Sequence, residues 1–107
     1  PPPPRAWAAR DPDAAARLTF ARARLAELSE QLSIPVENLM TPDVVRRALW
    51  QPPAEDEVDA VLSGHGARAW QVGLVGPVVR DALGRSAADA DEPTPATSEQ
   101  PVVEASA

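Results

Sequence analysis

Cysteine is absent from the chain, which excludes disulfides, thiolate nucleophiles and thiolate metal sites. Histidine occurs once, at His65, and one imidazole cannot build a histidine metal site without several carboxylate partners. No run of about 18 apolar residues occurs, and no charged stretch followed by an apolar one opens the sequence, so neither a membrane span nor an export signal is expected. The last two absences lead us to expect a soluble, cytoplasmic protein, and we expect it to be a monomer. Lysine is also missing: all ten cations are arginine, beside 21 alanines and 13 prolines. Arginine suits bidentate phosphate contacts, but Ala, Arg and Pro share GC-rich codons, and a genome-wide bias explains the excess more simply.

Catalytic constellations are lacking too. Ser29, Ser33 and Ser63 have no second base near the only histidine, no GxxxxGK[ST] loop is present, and Gly64-His65-Gly66 is not a phosphate fingerprint. His65, between two glycines, reads as a turn residue. Glu55, Asp56, Glu57 and Asp59 crowd one helix start, where the helix dipole accounts for them more simply than a hard cation does. We therefore expect no catalytic residue, no metal ligand and no cofactor in this segment.

With 107 residues there is room for one domain with a small core. The formal charge of −6 is unevenly placed: Pro1 to Arg85 carries ten arginines against eleven acids, while Ser86 to Ala107 carries five acids and no base. The first part is close to neutral and the acidity belongs to the tail. Pro1 to Pro4 suits extended polyproline II, so residues 1–10 read as a proline-rich linker. Trp7 is expected to tuck against the adjoining domain, because a wet indole forfeits its burial energy. The chain opens directly in this tract, and we expect it to be a piece of a longer polypeptide.

Helical punctuation then organises residues 11–84 into an all-α, compact bundle of about five helices. Asp11 as N-cap, Pro12 at the first helical position and Asp13 start the first, and Leu18, Ala21, Leu25, Leu28 and Leu32 line its inner face to about Ser33. Pro35 starts a one-turn helix. Thr41 and Pro42 start another, which must end near Trp50 because Pro52-Pro53 cannot continue it. Ala54 to Ser63 forms a fourth, closed by Gly64 or Gly66. The fifth, Ala67 to Leu83, is expected to point Trp70, Leu74, Val78, Val75 and Leu83 inward and to kink at Pro77. Residues 85–107, with few large apolar side chains and net negative charge, read as a disordered acidic tail.

What remains for function is the arginines. On the first helix Arg17, Phe20 and Arg24 share a flank, with Arg22 on the other. A ring between two guanidiniums suits single-stranded nucleic acid, through stacking plus phosphate pairing. The alternative, which we favour, is that the Trp7 segment folds back over Phe20. On the short helix Arg46 and Arg47 project outward, and Trp50 lies three and four residues beyond them. Trp50 is better read as packing on Pro52 and Pro53 at the rim of the core.

The order of these elements carries a resemblance. Leu25-Ala26-Glu27 on a long helix, Ile34-Pro35, a short helix ending before Pro53, and Gly64-His65-Gly66 before the last helix resemble the HRDC domain. "NLMTPDVVRRALWQPP" and "HGARAWQ" resemble more closely the C-terminal HRDC-like domain of actinobacterial ribonuclease D-type 3′-5′ exoribonucleases. The resemblance implies an accessory nucleic-acid-binding domain that helps position RNA 3′ ends, tRNA or other stable RNA, for a separate DEDD domain holding divalent metal ions. It also implies contacts with that exonuclease domain and with a preceding HRDC domain in the parent chain. Arg17, Arg24, Arg46 and Arg47 are then the candidate RNA contacts. Binding by so few cations is expected to be weak and salt-dependent. Two alternatives are a structural module that packs on the catalytic domain without touching RNA, and the HRDC domain of a RecQ-type helicase.

Overall fold

The computed structural model describes residues 1–90, and among these it is all-α. In chain order the helices are α1 (Trp7–Arg10), α2 (Pro12–Leu32), α3 (Val36–Leu39), α4 (Pro42–Trp50), α5 (Val58–Gly64), α6 (Ala69–Leu83) and α7 (Ala87–Ala90). Short 3-10 turns, Pro4–Ala6 and Glu55–Glu57, lead into α1 and α5. The five expected helices are present. The additional two, α1 and α7, are single turns at the two ends of the described chain.

Local chemistry sets most of the boundaries. Asp11 caps α2 by accepting from the Ala14 N–H at 3.1 Å, and Pro12 takes the first helical position, where its missing N–H costs nothing. At the other end Ser33 turns the chain with φ 56°, the left-handed conformation that ends many helices. Pro42 opens α4, and two prolines after Gln51 prevent its extension. Gly66, at φ 96°, makes the turn between α5 and α6, where a side chain would be strained. The expected start of the last helix at Ala67 moves to Ala69, because Gln71 Oε1 accepts the Arg68 N–H at 2.7 Å and closes the first turn there.

α2 is the spine of the bundle. Ala14, Leu18, Ala21 and Leu25 are buried against Leu39, Val45, Leu49, Val58, Leu62, Val75, Val78 and Val79 from α3 to α6. The apolar stripe on α2 is right in direction but outruns the core: Leu28 is half-buried and Leu32 is 42% exposed. On α6 the inner face is built from Val75, Val78, Val79 and Ala82, so Val75 and Val78 are buried as expected and Leu74 and Leu83 are half-buried, while Trp70 is 47% exposed. At 3.6 residues per turn Trp70 lies roughly 140° from Val75, so the helix cannot bury both.

Two corrections concern the ends. Residues 1–10, read as a linker, fold: Pro3 keeps polyproline-like angles, but from Pro4 the chain coils and places Trp7 at 0% exposure. Its indole Nε1–H donates to the Pro2 carbonyl at 2.8 Å, so the buried polar atom is satisfied. The ring packs at 4.9 Å and 54° against Trp50, within the range of favourable tilted aromatic pairs. Burying an indole removes roughly 150–250 Å² from water, about 4–6 kcal/mol on area alone. That outweighs the tendency of the proline tract to stay extended.

The second correction starts from Phe20. Its ring is covered from the far end of the described chain: the Arg85 guanidinium lies 4.2 Å above it. α7 follows and packs on α2. The Ala87 N–H donates to Asp13 Oδ1 at 2.8 Å, and Asp89 Oδ2 accepts from the Ser86 N–H at 2.8 Å. Residues 85–90 of the expected tail are thus folded; residues 91–107 lie outside the described chain.

α6 runs unbroken through Pro77, which leaves the Gly73 carbonyl without a helical donor. Gly76 faces α5 so closely that a Cβ there would lie 2.5 Å from Asp59 Oδ1, the acceptor of a 2.7 Å ion pair from Arg80 Nη1. Gly73 has open space around its missing side chain. Gly73→Ala should therefore stabilise the domain by about 0.5–1 kcal/mol through helix propensity. Gly76→Ala should gain less or lose stability, because the Asp59–Arg80 pair must move. Trp7→Ala should cost about 3–5 kcal/mol. Urea unfolding of the three variants measures all of this.

Candidate nucleic-acid interface

The four candidate arginines are divided by the fold instead of gathered. Arg17 is half-buried and its Nε–H donates to the Leu49 carbonyl at 3.0 Å. That carbonyl lies in the last turn of α4, where helical carbonyls lack N–H partners and carry partial negative charge. Arg17 therefore works as a cap that ties α2 to the end of α4. Arg24 pairs with Glu27 at 3.3 Å along α2 and with Asp81 of α6 at 3.8 Å.

Arg46 and Arg47 share one carboxylate. Asp43, one turn earlier, holds Arg47 Nε at 2.9 Å and Arg46 Nη2 at 3.6 Å. The aspartate also sits in the first turn of α4, where its charge favours the helix dipole. The two arginines nevertheless open onto different hollows. Arg46 borders a groove of about 200 Å³ with an apolar floor of Leu18, Leu25, Met40 and Val45, and Arg22 stands at the same groove. Arg47 borders a wider cleft of about 540 Å³ between the end of α4, the end of α5 and Pro1, lined also by Trp50, Gln51, Pro53, Val61 and His65.

This second cleft is where the structure brings together residues that chemistry can use. The reading of Trp50 as a packing residue holds in part: it is half-buried and one side of it rests on Trp7. Its principal partner is that tryptophan, although Pro53 does stand beside it in the cleft. His65 occupies the cap of α5 in the turn expected of it, and the packing of α4 on α5 carries it to Arg47 and Trp50. Nothing local in the sequence connects residues 47 and 65. The Phe20 flank, by contrast, is occupied by Arg85.

The model of the 3′ to 5′ exonuclease C-terminal domain family matches residues 1–83. The chain belongs to this family. The matched span includes Trp7 and the turns around it, in agreement with their place in the core. A crystal structure of a protein from Bifidobacterium adolescentis superposes with a TM-score of 0.69 at 32% identity, covering 78% of this chain and 20% of that one. This exonuclease C-terminal domain thus spans about a fifth of that protein's length. No curated protein matches the chain.

The two kinds of arginine separate experimentally. Arg17→Ala removes a charged hydrogen bond to a helix-end carbonyl and should lower unfolding free energy by about 1–3 kcal/mol. Asp43→Asn should release both Arg46 and Arg47 at a cost of under about 1 kcal/mol, the usual worth of exposed ion pairs. Denaturant titrations of the two variants against the parent protein measure both.

Proposed function

We propose that the chain is the HRDC-like C-terminal domain of a ribonuclease D-like 3′-5′ exoribonuclease, and that it helps hold RNA 3′ ends for a separate catalytic domain. Hydrolysis, with its acids and divalent metal ions, belongs to that other domain. RNA of the tRNA type or other single-stranded 3′ ends is the partner we assign, together with the exonuclease and preceding HRDC domains of the same chain. The observation that carries this reading is the cleft at Arg47 and Trp50: a cation and a half-buried aromatic ring side by side, in a domain of an exonuclease family. Aromatic stacking with phosphate pairing is how unpaired nucleic acid is held without sequence preference.

The charge distribution sets the strength. Three of the four candidate arginines, Arg24, Arg46 and Arg47, are paired with carboxylates, so few phosphates can be neutralised: affinity must be weak, and it falls with salt by only about one logarithmic unit for each phosphate contacted. A second reading, a protein-contact module resting on the catalytic domain, is favoured by Trp70 and Leu32. Both are large apolar side chains left exposed, at the end of the bundle where Gln71 Nε2 of α6 donates to the Asn38 carbonyl of α3 at 3.1 Å.

Titrating the protein with a single-stranded RNA and with a tRNA-like hairpin at low salt, while following backbone amide shifts, tests the proposal. We expect the single-stranded RNA to move amides of Arg46, Arg47 and their neighbours. Arg47→Ala should reduce the slope of log affinity against log salt by roughly one unit. Shifts confined to the Trp70 and Leu32 end on adding the catalytic domain, with none on adding RNA, would instead establish the protein-contact reading.

A further inference from the structure

We propose that the cleft between α4 and α5 is a pocket for one unpaired nucleobase and its phosphate, with Trp50 as the stacking surface, Arg47 as the phosphate contact and His65 as the opposite wall. This rests on the reading that the domain holds single-stranded RNA, and adds to it a single place and a role for each residue. Three observations support it.

The first is the wall behind the ring. Trp50 is backed by Trp7 at 4.9 Å, and Trp7 is itself fixed by its bond to the Pro2 carbonyl. A ring held from behind loses little freedom when a base stacks on it, so more of the stacking energy appears as affinity. Arg17, bonded to the Leu49 carbonyl, steadies the same helix end from the opposite helix.

The second is charge. The chain has more acids than bases, yet no carboxylate among the described residues lines this cleft, whereas Arg47 and His65 both do. Asp43 binds Arg47 through Nε, and this orients the guanidinium while its two terminal nitrogens keep their N–H groups for a phosphate. The third is size: the cleft, open to solvent on one side, has a volume of about 540 Å³, enough for a base. Gln51, exposed at its rim, adds an amide that donates and accepts at a base edge. Stacking of this kind tolerates any base, with preference set by stacking strength and not by hydrogen-bond readout.

The test follows the indole N–H signals of all three tryptophans while the protein binds oligoadenylate or oligouridylate RNA hexamers. We expect the Trp50 indole and the His65 ring to shift, the Trp70 indole to stay, and oligoadenylate to bind more tightly. Trp50→Leu should weaken binding about tenfold, in line with the stacking worth of one base, while Trp50→Phe restores most of it. His65→Ala, an exposed turn substitution outside the core, should weaken binding about threefold and keeps the test informative if Trp50→Leu unfolds. RNA bound with Trp50 and His65 unmoved, or with Trp70 moving in their place, would overturn the pocket and leave RNA binding standing. Failure of both hexamers to bind at low salt would overturn both.

Discussion

The burial of Trp7 is the constraint on which the rest of the arrangement depends. Its indole closes the bundle over α2 and supports Trp50 at the end of α4. Because the indole N–H finds the Pro2 carbonyl, the proline tract acts as a clamp that fixes the tryptophan. Small domains bury a modest fraction of their surface, so one indole supplies a large share of the stabilising area. The exonuclease-family match beginning at residue 1 and the buried ring at residue 7 are two signs of the same fact: the N-terminal segment is a component of the domain.

From that support the geometry of the α4 end follows. Trp7 packs on Trp50, Arg17 holds the Leu49 carbonyl, and two prolines prevent α4 from running on. α5 packs beside it and returns His65 to the same place. The elements that position the cleft are thus also elements that stabilise the fold. Arginine serves both purposes in this chain. Arg17 and Arg80 join helices, Arg85 covers Phe20, Arg24 is held by two carboxylates, and Arg46 and Arg47 are steered by Asp43. Any grip on RNA from the cleft must rest on stacking and few guanidiniums, because among the described residues Arg47 is the arginine that lines it.

The parts of this structure that were legible in the sequence are those fixed by near neighbours. Asp11-Pro12, Pro35, Thr41-Pro42, Pro52-Pro53 and Gly66 start, stop or turn the chain through backbone chemistry within a few residues, and their elements stand where expected. The illegible parts are those fixed by distant partners. Phe20 looked like a ring in need of a cover, and Arg85, 65 residues on in sequence, lies over it. The stretch after Arg85 reads as polar tail until Asp13, 74 residues away in sequence, accepts the Ala87 N–H. Trp70 reads as core from its place in the apolar pattern of the last helix, but the burial of Val75, Val78 and Val79 leaves it outward. In the site, Arg47 and Trp50 were visible as neighbours on one helix, whereas His65 joins them only through the packing of α5 on α4.

Hydrogen exchange of the Trp7 indole N–H, followed in the native protein together with the amides of α4, tests most directly whether this segment is part of the core. Opening only by global unfolding predicts exchange as slow as that of the most protected amides of α2, with the last turn of α4 exchanging in step when mild denaturant is added. Exchange of the Trp7 indole at the rate of an exposed group, while α2 stays protected, would show that the N-terminal segment detaches freely and would contradict its role as the support of Trp50.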